Sequence, residues 1–340
     1  MKNVWFNKTF SSVGSAIRLI READRACEYR IICSSTNSHA TAFLAAQESA
    51  IEPAGLKGEA YLDWCLNFCS ENRIGIFVPG KEASLISSAR DKFFAFETRV
   101  LCAASQDVLH LLHNKARFYQ TVDLERTPPA AFRVFENVAQ FELAYRELRG
   151  SHEQLCVKPS VSVYGLGFSV IDEERSSAQL LLEGVQHHIG LDDLRLGLAA
   201  MGEFRTMLVM EYLDGNEYSV DCIGDDGRLA CAIPRKKSLR IGQGQTIDLR
   251  GDILESVRRL TFAYGLNGVF NVQFREGRNG LRLLEINPRM SGGIAMACMA
   301  GPNLPYLALR GFDRGYDGLE IPEIRTDIRV AEVPDAVELQ

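Results

Sequence analysis

Short apolar runs alternate with amphipathic stretches over the first hundred residues of this chain. Residues 3–6 (NVWF), 29–35 (YRIICSS) and 74–80 (IGIFVPG) read as strands, the last cut off by Pro79-Gly80. Between them, Ile17, Leu19, Ile20 and Ala23 form a helical stripe, and residues 61–73 an amphipathic helix. Strands separated by helices predict a parallel sheet covered on both faces. Ligands of such sheets sit at the carboxyl ends of the strands, where Asn7, Lys8 and Glu82 fall.

From about residue 106 the rhythm changes. Residues 108–122 and 136–149 read as helices, and 154–160 and 167–171 as strands flanking a glycine-bearing loop. A helical stretch over 177–186 leads into 187–204, whose pattern fits neither period. Strands follow at 205–213, 217–223 and 229–234, with a turn at Asp225-Asp226-Gly227, then a helix over 252–264 and a hairpin over 268–288. Adjacent strands with interspersed helices predict an α+β module behind the α/β one.

The 340 residues suggest two domains, or three lobes. Hydrophobic residues make 46% and charged residues 24%, the mixture of a globular chain with ample core. Net charge is −6, from 38 basic and 44 acidic residues, so no nucleic acid is expected as the main ligand. The first residues lack the apolar core of a signal peptide, and no run reaches the roughly 20 apolar residues of a membrane span. Nine cysteines, mostly inside apolar stretches, read as reduced thiols, and the expected compartment is the cytoplasm. His187-His188 near Asp192-Asp193 lacks the spacing of a transition-metal site.

Candidate chemistry concentrates in residues 271–274 (NVQF) and 283–289 (LLEINPR). Alternation puts Val272 and Phe274 on one face and Asn271 and Gln273 on the other; Glu285 and Asn287 share a face on the second strand. Hard oxygen donors with few carboxylates suit a Mg²⁺ ion that keeps phosphate ligands. An ordinary hairpin with polar residues in solvent is the competing reading. Asn279-Gly280 invites a two-residue type I′ turn, but that register sets Gln273 opposite Ile286. A three-residue loop, Arg278-Asn279-Gly280, or a five-residue loop of the same parity, sets Gln273 opposite Glu285 and is the expectation.

On these motifs the chain resembles the ATP-grasp superfamily over roughly residues 106–300, above all the ATP-grasp unit of carbamoyl phosphate synthase, where an NVQF strand and an E-x-NPR strand recur. The resemblance implies a Rossmann-like parallel-sheet domain at 1–105, then a two-lobed ATP-grasp fold: a lid lobe at 106–205 and a C-terminal lobe at 206–340. It makes Gln273, Glu285 and Asn287 ligands of Mg²⁺ (or Mn²⁺) and brings Arg289 to the terminal phosphates. Gln273 stands where many relatives have an acid, leaving the site one charge poorer. Residues 211–221 (EYLDGNEYSVD) resemble the hinge between lobes. Glu211 and Leu213 would meet the adenine edge with backbone groups beside Tyr212, and Glu217 would hold the ribose. Lys115 and Lys158 resemble the two phosphate-binding lysines, and Gly165 and Gly167 lie in the phosphate-covering loop. Arg235 and Lys237, in a basic run with Lys236 and Arg240, are candidates for the substrate carboxylate or the transferring phosphoryl group. Glu82 and Ser291-Gly292-Gly293 are candidate substrate contacts.

The resemblance implies an ADP-forming ligase that uses ATP to join a small-molecule carboxylate to an amine through an acyl phosphate. Alternatives are a carboxylate kinase that stops at the phosphorylated acid, and a non-catalytic ATP-binding sensor. A homodimer is compatible with either.

Overall fold

The computed structural model describes the chain except residues 9–10, 163–164, 240–241, 334–335 and 339–340. Contacts divide it into two compact units: Met1–His110 with Asn216–Phe274 and Glu285–Gln340, and Leu111–Gly215 with Arg275–Leu284.

The first unit opens with strands β1 (Lys2–Phe6), β2 (Tyr29–Ser35), β3 (Glu48–Ile51), β4 (Ile74–Val78) and β5 (Arg99–Val100). They form a parallel sheet in the order β3-β2-β1-β4-β5. Val4, Trp5 and Phe6 are all buried because both faces are covered. Val4 and Phe6 join Ile31, Cys33 and Ile76 against Ile17 and Ile20 of the helix Ser11–Ala23. Trp5 faces the other way, stacked 4.1 Å from Phe77 and edge-on to Trp64 of the helix Gly58–Glu71. Strands β3 and β5 were not expected: one is mostly exposed and the other has two residues, so neither carries an apolar signature.

The second unit holds β6 (Phe132–Phe135), β7 (Leu155–Pro159), β8 (Ser169–Asp172), β9 (His188–Gly190) and β10 (Met207–Glu211), ordered β6-β10-β7-β8-β9. Helices Val138–Arg149 and Leu191–Met201 bury Phe141, Leu148, Leu194 and Leu198 with Phe135, Val157 and Val209. The unassigned stretch 187–204 thus resolves into β9 and a helix. The single helix expected over 108–122 is two, Gln106–His113 and Lys115–Thr121, because the Asn114 side chain accepts from Arg117 N and caps the second.

A third sheet, in the order β15-β14-β11-β12-β13-β16, comprises β11 (Glu217–Asp225), β12 (Arg228–Lys237), β13 (Gln245–Ile247), β14 (Gly268–Gly277), β15 (Gly280–Asn287) and β16 (Arg329–Val330). Positive φ at both Asp226 and Gly227 makes the β11–β12 turn type I′. Strand β12 runs to Lys237, so Arg235, Lys236 and Lys237 lie within a strand rather than after one. Arg278-Asn279 separate β14 from β15, and Gly280, the left-handed glycine of the expected three-residue loop, is counted as the first residue of β15. Gly280 has φ +99° whereas Asn279 is not among the residues with positive φ, so the obvious Asn279-Gly280 type I′ turn is not formed.

Candidate functional site

In the second unit candidate side chains gather on the antiparallel pair β7–β10, where Cys156 lies opposite Met210 and Lys158 opposite Leu208. Directly opposed residues share a face, so Cys156, Lys158 and Met210 line one side of a pocket completed by Phe168, Tyr212, Leu213, Arg275 and Leu284. Burial pushes the Cys156 thiol up to about 12, so it stays neutral and serves as apolar wall. The Arg275 guanidinium lies 5.9 Å over the Tyr212 ring. The backbone of the expected hinge is held by Glu211 N–H donating to Ala131 O (2.9 Å) and Tyr212 N–H donating to Gln154 O (3.0 Å). The buried Glu211 carboxylate accepts from Arg282 Nε (2.9 Å) and Ala131 N (3.2 Å), with His152 Nδ1 3.0 Å away. Its side chain is thus engaged by neighbours within the second unit, which suits a residue expected to act through its backbone.

Lys158 Nζ donates to Tyr119 Oη at 2.9 Å, and Tyr119 in turn donates to Leu284 O. That chain offsets the cost of placing an ammonium on an apolar strand. Lys115 is buried, which excludes a solvated surface lysine; its Nζ donates to Ser162 O and its N–H to Ser160 O, both at 2.9 Å. Both bonds end on the stretch that opens the glycine loop. Gly165 and Gly167 take φ +69° and +79° in an exposed turn closed by Phe168 N–H on Gly165 O. Val163 and Tyr164 lie outside the described residues.

In the first unit, Gln273 is half-buried between buried Val272 and Phe274. Asn287 Nδ2 donates to Glu285 Oε1 at 2.9 Å, so these two side chains converge. Arg289 N–H donates to Asn287 O at 2.7 Å, turning the chain sharply after Pro288. The candidate donor set is all oxygen with one formal charge, which fits Mg²⁺ completing its shell with phosphate oxygens. Among the described residues no group of three or more His, Cys, Asp or Glu is placed to hold a metal, His187-His188 included.

Arg235 corrects the expectation of a cation facing a cleft. Its side chain is 2% exposed and Asp221 is 0% exposed. Nε and Nη2 donate to Asp221 Oδ2 at 2.9 and 2.8 Å, Nη2 also to Ser291 Oγ (2.9 Å) and Ser219 Oγ (3.2 Å), and Nη1 to Gln245. A Cβ on Gly293 would come within 2.5 Å of Nη1. The guanidinium therefore supports the 291–293 loop from beneath; an inward residue of a strand covered on that face cannot reach solvent. Lys237 pairs with Glu217, so the expected ribose carboxylate and the expected catalytic cation hold each other. Arg240 lies outside the described residues.

The sequence reading missed Asp221, Ser219 and Gln245, and it placed Asn271 without a role. Asn271 is 1% exposed; its Nδ2 donates to Ser219 Oγ, Val220 O and Asp221 Oδ1, and its Oδ1 has no hydrogen-bond partner among the described residues. The available signal was Asp221 inside the apolar run YSVDCI, since a buried acid demands a partner. At the strand ends of the parallel sheet, Lys8 Nζ donates to Glu82 Oε1 at 2.9 Å and lies 3.9 Å over the Tyr61 ring. Asn7 Nδ2 donates to Tyr61 Oη (2.6 Å), and Asn7 Oδ1 accepts from Gly80 N (2.6 Å).

Residues 203–336 match the family model described as ATP-grasp in the biosynthetic pathway with Ter operon. The chain is 34% identical over 119 residues to carnosine synthase 1 of Gallus gallus, covering 31% of this chain and 13% of that protein. It is 25% identical over 147 residues to the carbamoyl phosphate synthase large chain of Clostridium botulinum (strain Loch Maree / Type A3), covering 40% of this chain and 12% of that protein. Its fold is similar to that of the N5-carboxyaminoimidazole synthetase from Staphylococcus aureus complexed with ADP, with a TM-score of 0.65 at 13% identity over 96% of this chain and 80% of that one.

Proposed function

We propose that this chain, a member of the ATP-grasp superfamily, is an ATP-dependent ligase joining a small carboxylic acid to an amine. The observation that carries the reading is the convergence of Glu285 with Asn287 on β15, the strand next to the one that carries Gln273, in a chain that also holds Lys158 on a pocket-lining strand. The pocket around Cys156, Met210, Tyr212 and Leu284 receives adenine; Lys115, Lys158 and the Gly165–Gly167 loop receive phosphates as compact charges and close backbone donors. Gln273, Glu285 and Asn287 would be the oxygen ligands for Mg²⁺ or Mn²⁺. When bound, the metal would neutralise phosphate charge and hold the phosphates in line.

The chemistry balances without a protein nucleophile. A substrate carboxylate oxygen bonds to the γ-phosphorus while the bond to the bridging oxygen breaks, releasing ADP. The amine nitrogen then bonds to the acyl carbon, phosphate departs, and the nitrogen loses a proton. Arg289 would offset charge on the transferring group, and Ser291, with the backbone of Gly292 and Gly293, would meet the developing oxyanion. Glu82 and Lys8 would meet polar groups of the substrate. Carnosine synthase 1 and carbamoyl phosphate synthase as relatives support ligation in general terms.

ADP release measured over a matrix of carboxylic acids and amines tests the reading. ADP formation that requires both partners, and hydroxamate formation when hydroxylamine replaces the amine, are expected. ADP formation with an acid alone would favour the kinase. Tight ATP binding with no turnover on any pair would favour the sensor.

A further inference from the structure

The parallel sheet reverses its strand order between β1 and β4, and the crevice at such a switch point is where open α/β sheets take ligands. A cavity of about 50 Å³ lies at the carboxyl ends of these two strands, wholly within the first unit. Its wall includes the apolar side chains of Phe6, Val13, Val78, Leu101, Met290 and Leu309, and Arg289 of the NPR segment reaches it.

The wall's chemistry selects what can enter. Asn7 also lines the cavity, but both ends of its amide are engaged, with Tyr61 and with Gly80 N–H. A polar group entering beside Asn7 would lose water without gaining that partner. An apolar group loses nothing and removes apolar wall from contact with water. Well-packed interiors leave few voids larger than a water molecule, and this one exceeds the roughly 10–15 Å³ that holds a single water. It suits a short branched alkyl group and is too small for an indole.

We propose that this cavity is a specificity pocket for a short branched aliphatic group on one of the two substrates, such as an amino acid or a small carboxylic acid with an isopropyl or isobutyl side chain. The proposal rests on the ligase reading, since Arg289, expected at the transferring phosphoryl group, is part of the same wall. Binding through this pocket would set KM among acids or amines of different side chain while leaving nucleotide affinity unchanged.

The test uses the full chain with L-valine, L-leucine and 3-methylbutanoate as probes and glycine and L-aspartate as controls. Thermal shifts without nucleotide should rise with the branched probes and stay flat with the controls. Ala83, half-buried on the wall, is replaced to fill the space (Ala83→Leu), and Met290 to enlarge it (Met290→Ala). A83L should abolish the branched-probe shift while retaining the wild-type ATP shift, which shows that it folds. M290A should admit L-phenylalanine. Where turnover is found, kcat/KM for the branched substrate should fall about 10-fold or more in A83L. Branched-probe shifts lost in A83L, with no ADP formed on any pair, would sink the ligase reading and uphold the pocket. ADP formation only with polar acids and amines, with no branched-probe shift, would overturn the pocket and leave the ligase standing. Equal branched-probe shifts in wild type and A83L also overturn it; should A83L fail to fold, the M290A selectivity decides.

Discussion

Replacing Arg235 by Met removes the cationic half of an ion pair whose members are 2% and 0% exposed. Among the described residues Asp221 would then keep a charge in the interior with Asn271 Nδ2 as a neutral donor. Breaking a buried pair by deleting one partner costs about 3–5 kcal/mol, whereas an exposed pair is worth about 0.2–1 kcal/mol. The lost hydrogen bonds to Ser219, Gln245 and Ser291 lie on the same side of that ledger, so R235M should cost at least about 3 kcal/mol. Adding Asp221→Asn removes the stranded charge and should recover a large part of the loss. Both tryptophans, Trp5 and Trp64, lie in the first unit, so urea unfolding followed by their fluorescence reports on the unit that holds the pair. A cost below about 1 kcal/mol, or no recovery in R235M/D221N, would mean that the guanidinium is solvated and does not brace the 291–293 loop.

Lys158→Ala should leave the melting temperature within a few degrees of wild type without nucleotide and abolish the shift produced by Mg-ATP, which at a hundred times Kd is worth about 2.7 kcal/mol; an undiminished shift would remove this lysine from the nucleotide site. Glu285→Ala should lower turnover and raise the Mg²⁺ concentration giving half-maximal ATP-dependent stabilisation; an unchanged Mg²⁺ requirement would move the metal elsewhere. Gly280→Ala places a β-carbon at φ +99° and should destabilise by about 1 kcal/mol, read from the urea midpoint. Of the nine thiols, Cys27 is exposed, while burial holds those of Cys33, Cys65, Cys156, Cys231 and Cys298 up to about 12. Alkylation at pH 8 should therefore add one group quickly, at Cys27 by peptide mass, and the rest only on unfolding.

Periodicity and punctuation, which are local, determined much of this protein. The apolar runs of β1, β2 and β4 need burial on both faces, and that demand alone predicts a covered parallel sheet. The alternation in NVQF and in EIN separates core from polar positions, and the structure keeps Val272, Phe274 and Ile286 buried with Gln273, Glu285 and Asn287 half-buried. Resemblance of whole motifs then supplied the ATP-grasp reading, which no single residue carried.

The tertiary structure decided where each charge ends. Arg235, Lys236 and Lys237 form an ordinary basic run in the sequence, yet strand alternation drives Arg235 inward onto Asp221 and sets Lys237 against Glu217. Lys115 and a surface lysine look alike in a helix; only the fold brings Ser160 and Ser162 to it across more than 40 residues. The cavity between β1, β4 and Met290 likewise has no sequence signal, because its walls come from segments nearly 300 residues apart. Burial depends on what the rest of the chain lays over a side chain, and that covering is a property of the assembled layers rather than of any local stretch.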